Sequence, residues 1–94
     1  MTLQELHEKL QEKGINENDY YLHGLYGSIS DEDKMGMIMK VGKYRLEYHV
    51  YFKERGQVSG KKVFFEEDEA CQYFYRRQMI TKDVRDGKYD KEDI

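Results

Sequence analysis

Apolar residues recur along this chain with two different periods, and the change of period marks out its elements. Leu3, Leu6 and Leu10 fall on one stripe at helical spacing, while Glu5, Glu8, Lys9, Glu12 and Lys13 fill the other side. Thr2 and Glu5 have the spacing of a capping box, in which each side chain satisfies a free amide at a helix start. The pattern predicts a helix from Leu3 to Lys13. Gly14 can stop it in a left-handed conformation, with Ile15 packing back on the last turn.

Beyond a turn-rich stretch from Asn16 to Asp19, the period drops to two. Tyr20 to Tyr26 has strand composition and reads as a first strand with an internal glycine, Gly24. Met35, Met37, Met39 and Val41 share one face of a second. Leu46, Tyr48, Val50 and Phe52 alternate with Arg45, Glu47, His49, Tyr51 and Lys53, which predicts a third strand with one buried and one wet face. Gly42-Lys43 between them reads as a type II′ hairpin turn, because glycine at the first position supplies the positive φ. Glu54 to Gly60 reads as a longer loop before a short strand from Lys61 to Phe65.

The period then returns to helical. Glu66 to Glu69 place negative charge where a helix N-terminus favours it, and Ala70, Cys71, Tyr73, Phe74 and Met79 or Ile80 supply the apolar stripe. Arg76, Arg77 and Lys82 load the later turns with the opposite sign. The expected fold is α+β: a four-stranded antiparallel meander between an N-terminal and a C-terminal helix. Residues 1–82 form one domain in this reading, and 83–94 form a polar tail.

Composition narrows the class. Ninety-four residues, 38% hydrophobic and 37% charged, provide for one core and no second domain. No apolar run approaches the length of a membrane span, and Met1 leads into a polar amphipathic segment, so neither a membrane nor an export signal is expected. The lone Cys71 cannot form an internal disulfide, which points to a reducing cytoplasm. A net charge of -3 supplies no global attraction to nucleic acid. Nine tyrosines and no proline suit half-wet binding surfaces as well as a thin core.

The chemistry-bearing residues are sparse. His7, His23, His49 and Cys71 are possible ligands or nucleophiles, but none has a diagnostic spacing, so no metal or cofactor is expected. The chain has no phosphate-binding glycine loop and no nucleophile elbow, and an enzyme is not expected. Glu47 and His49, two apart on one strand face, are the pair that catalysis would use. Met35, Met37 and Met39 fit core packing, or an adaptable apolar contact surface.

Two charged features bear on partners. Asp31, Glu32 and Asp33 belong on a solvated loop, and such a cluster would steer encounter with a basic protein. Lys40, Lys43, Arg45, Lys53, Arg55, Lys61 and Lys62, mixed with Tyr44 and Tyr51, give the alternative reading of a small nucleic-acid-binding or regulatory module.

One stretch carries a family likeness. Val50-Tyr51-Phe52-Lys53-Glu54-Arg55-Gly56, then Val63-Phe64-Phe65 and Glu69-Ala70-Cys71-Gln72-Tyr73-Phe74, resembles small bacterial immunity proteins that accompany polymorphic and contact-dependent toxins. The resemblance covers about the C-terminal half of the expected fold, with Tyr20 to Gly27 as an earlier echo. It implies a cytoplasmic inhibitor that binds a cognate toxin protein tightly without catalysis of its own. The expected contacts are the acidic loop (Asp31, Glu32, Asp33), the wet sheet face (Arg45, Glu47, His49, Tyr51, Lys53) and the basic helix turn (Arg76, Arg77). An unpaired edge strand would decide between a monomer and a homodimer.

Overall fold

In a computed structural model, which describes residues 1–85 and 87, the two helices lie on one side of a five-stranded sheet. The elements are α1 (Leu3–Glu12), a 3-10 turn (Glu17–Asp19), β1 (Tyr20–Leu22), β2 (Tyr26–Gly27), β3 (Lys34–Val41), β4 (Leu46–Glu54), β5 (Gln57–Phe64) and α2 (Glu67–Arg85). The sheet order is β2-β1-β3-β4-β5. The α+β class and the flanking helices agree with the sequence; the antiparallel four-stranded meander does not, because the sheet is mixed and β1 runs parallel to β3.

The first helix forms as its local signals dictate. Thr2 Oγ1 accepts from the Glu5 amide at 3.2 Å and Glu5 Oε1 accepts from the Thr2 amide at 2.8 Å. At the other end Gly14, at φ 78°, lets its own amide reach Gln11 O and the Ile15 amide reach Leu10 O, closing the helix with a Schellman motif.

The parallel pair has a local cause. His23 and Gly24 both take positive φ, 54° and 73°, and the Leu25 amide donates to Leu22 O, so the expected Tyr20–Tyr26 strand breaks and folds back as the hairpin β1-β2. That hairpin occupies the sheet edge and leaves the inner side of β1 for β3, in register Tyr20 with Met35 and Leu22 with Met37. His23 extends this pairing: its amide donates to Met37 O and its Nδ1 accepts from the Met39 amide at 3.0 Å, an imidazole standing in for a ladder carbonyl.

The two later hairpins exchange the turns expected of them. Gly42 does not take positive φ; Gly42 to Arg45 form a four-residue link in which the Gly42 amide donates to Arg45 O. Glycine is needed there for space, since a Cβ would lie 2.5 Å from Glu47 Oε2 and 2.9 Å from Arg45 O. The two-residue turn is Arg55-Gly56, both at positive φ as a type I′ turn requires, so β5 begins at Gln57 and Gly60 lies inside it, beside a bulge opposite Tyr51.

The core lies between the helices and the sheet. Leu3, Leu6 and Leu10 of α1 and Ala70, Cys71 and Phe74 of α2 meet Tyr20, Leu22, Met37, Tyr48 and Val50 from the strands. Met35 and Met39 pack at the margin of this cluster, so the methionine row is core packing. Burial pushes the Cys71 thiol up to about 12, the state of an inert core residue. Of the two residues expected to extend the α2 stripe, Met79 packs against the core and Ile80 is exposed, and Gln78, a polar residue the stripe did not include, is buried beside it. The helix continues to Arg85, past the expected boundary at 82; the remainder of the expected tail lies outside the described residues, apart from Gly87.

Candidate partner-binding face

Among the described residues no other element covers the sheet face turned away from the helices, yet its middle is buried. Alternation along β4 places Glu47, His49, Tyr51 and Lys53 there, and pairing with β3 sets Gly36 against Tyr51, Ile38 against His49 and Lys40 against Glu47. Tyr51 is only 5% exposed and His49 6%, so the expected wet face is closed at its centre.

Two devices bury Tyr51. Gly36 leaves the space in which the Tyr51 ring lies: a Cβ there would come within 2.9 Å of both Tyr51 Cζ and Oη. The segment before β3 then folds back over the ring. Tyr51 donates its hydroxyl hydrogen to Asp31 Oδ2 at 2.7 Å, and Lys53 Nζ donates to Asp31 Oδ1 at 3.2 Å and meets Glu32 Oε1 at 3.1 Å.

Asp31, Glu32 and Asp33 lie on the loop before β3 as expected, Glu32 and Asp33 exposed and Asp31 half-buried, but each is already engaged. Asp31 and Glu32 are paired with Lys53, and Asp33, itself at φ 56°, accepts the Arg55 amide and so supports the β4-β5 turn. The Tyr51 hydroxyl, and then Lys53, hold the Asp31 carboxyl below the usual carboxylate range. Burial, and then Asp31, raise the Tyr51 hydroxyl well above the usual phenol range.

A pH dependence follows with a definite sign. A carboxylate whose folded pKa is depressed stabilises the fold above its unfolded pKa of about 3.9 and loses that contribution as pH falls through the folded value. Asp31→Asn is therefore expected to lower the urea midpoint at neutral pH. Its deficit against the wild type should shrink as pH falls from about 5 towards about 2. A deficit that stays constant over that range would mean that the Asp31 charge contributes nothing.

The other expected site residues divide by position. Glu47 Oε1 lies 2.9 Å from His49 Nε2, which orients the imidazole and leaves its Nδ1 buried with no hydrogen-bond partner among the described residues. Arg45 sits at the β3-β4 link, pairs with Glu66 at 3.1 Å and lies over the Phe65 ring, at one end of the face. Arg76 and Arg77 are exposed on α2, in the layer across the sheet, and do not join the face.

Sequence reasoning assigned Lys40 and Lys61 only to a diffuse basic set. With Ile38 and Val58 they border a depression of about 260 Å³ floored by His49 and Tyr51. Tyr44, 86% exposed at the hairpin tip with Lys43 Nζ 5.3 Å from its ring centroid, stands beyond that rim.

The remaining imidazoles serve packing. His7 shares a hydrogen bond with the Tyr20 hydroxyl at 2.8 Å and stacks on Tyr26. No group of three or more His, Cys, Asp and Glu side chains among the described residues is placed to hold a metal ion. No helix among them is long and apolar enough to cross a membrane. No family model, curated protein or solved structure matches the chain.

Proposed function

We propose that this protein is an immunity-type inhibitor that binds a cognate bacterial toxin domain through the helix-free sheet face. The observation that carries the reading is the fixed Asp31-Tyr51-Lys53 cluster beneath a shallow, mixed apolar and charged depression. Side chains already held in one arrangement lose little freedom on association, and pre-organisation of this kind converts buried area into affinity. The rim alternates Ile38 and Val58 with Lys40 and Lys61, the mixture of apolar contact and charge that a specific protein interface uses. The family likeness around Val50–Gly56 falls on β4 and its turn, beside this face.

The nucleic-acid alternative used Tyr44 and Tyr51 as stacking rings; Tyr51 is buried with its hydroxyl engaged, so only the exposed Tyr44 offers a stacking face and the two rings form no common platform. Glu47 and His49, the pair that catalysis would use, are in contact at 2.9 Å, and only His49 of the two borders the depression.

The test is co-expression with the C-terminal domain of whatever protein is encoded just upstream of the gene, which the proposal takes to be toxic; absence of toxicity would overturn it. Growth rescue together with a co-purifying complex is expected. Toxicity that persists, or rescue without a complex, would overturn inhibition by binding.

A further inference from the structure

We infer that the outer edge of β5 receives an extended acidic segment of the partner protein, added to the sheet as a sixth strand. The inference rests on the proposed reading only in taking the partner to be a protein.

β5 is eight residues long and, among the described residues, is paired on one side alone, by β4; the opposite sheet edge is the two-residue β2. An edge strand presents a row of unpaired N–H and C=O groups, the template for strand addition. Residues 57–63 are all exposed, so nothing among the described residues screens that row.

Charge selects the occupant. Between Gln57 and Phe65 the only charged side chains are Lys61 and Lys62, and neither forms an ion pair among the described residues. Lys61 borders the depression on the helix-free face, and Lys62 Nζ lies 5.2 Å from the Tyr73 ring centroid on the other side. An incoming strand with acidic side chains would meet one lysine on each face. Val58 and Val63, about half exposed, offer apolar contact alongside.

A second copy of the chain is the obvious competitor, and the same lysines oppose it. Antiparallel pairing of two β5 edges about their centres would bring Lys61 and Lys62 of both copies together. Lysines and bulges are devices that keep edges from pairing with themselves, and a partner of opposite charge turns the same lysines into attraction.

The test is an NMR titration of the ¹⁵N-labelled protein with a soluble peptide repeating Glu-Glu-Val-Val, which puts glutamate on both faces of an extended strand, at millimolar concentration, against its Lys-Lys-Val-Val counterpart. The acidic peptide is expected to shift the β5 amide signals and slow their hydrogen exchange. Lys61→Glu/Lys62→Glu, confined to exposed positions, should weaken that response roughly tenfold or more. The inference is overturned if the basic peptide acts equally, if neither peptide moves β5, if an oligothymidine binds there in preference, or if β5 is already protected in a dimer of the free protein. Growth rescue that survives a negative titration would leave the immunity reading standing and remove only the edge.

Discussion

Phe74→Ala is expected to cost about 3–5 kcal/mol, the usual penalty for emptying a fully buried aromatic site. Phe74 is 0% exposed in the single core, and α2 is held to the sheet through Ala70, Cys71 and Phe74. Total stability for a domain of this kind is about 5–15 kcal/mol, so the loss is a large fraction of the whole. The melting temperature should fall by roughly 15–30 °C, a shift that calorimetry resolves easily. Phe65→Ala is the control, because Phe65 is exposed on the β5-α2 link and contributes little to the core; equal losses at the two positions would contradict the placement of α2.

Gly36→Val is the second large effect and reaches the binding face. The added side chain starts 2.9 Å from the end of the Tyr51 ring, which cannot swing away without giving up its hydrogen bond to Asp31. Overpacking and the broken bond together should cost about 1–3 kcal/mol in a urea titration. Adding Tyr51→Ala to Gly36→Val tests the cause: the double variant should lose less than the sum of the two single losses, because the clash is gone. Strict additivity would place the strain elsewhere. Partner binding should fall in Gly36→Val as well, since the floor of the depression moves.

What could be read from the sequence was mostly local. The Thr2/Glu5 box, the Gly14 stop, the alternation of β3 and β4 and the stripe of Ala70, Cys71 and Phe74 each depend on neighbours a few residues apart. The parallel β1-β3 pair was hidden because His23, a non-glycine residue, takes the left-handed conformation that breaks the first strand. The same reason hid the Arg55-Gly56 turn, where an arginine holds positive φ and Asp33, from a distant loop, accepts its amide.

The proposed binding face was legible as a list of residues and illegible as a surface. Alternation put Glu47, His49, Tyr51 and Lys53 on one side, but only contacts twenty or more residues apart show that Asp31 and Glu32 neutralise Lys53 and cover Tyr51. Lys40 and Lys61 meet at one depression only through strand pairing across β4. Charge order along the chain suggested Arg76 and Arg77 as contacts, whereas the topology puts them in the helix layer across the sheet.

The most direct test of the sheet-face account is growth rescue in cells expressing the domain encoded just upstream of the gene, the proposed toxin, compared between two charge-reversed proteins. Lys40→Glu/Lys61→Glu should lose the protection that the wild type gives, while Arg76→Glu/Arg77→Glu should keep it. Protection lost in the helix variant and kept in the sheet variant would contradict the account.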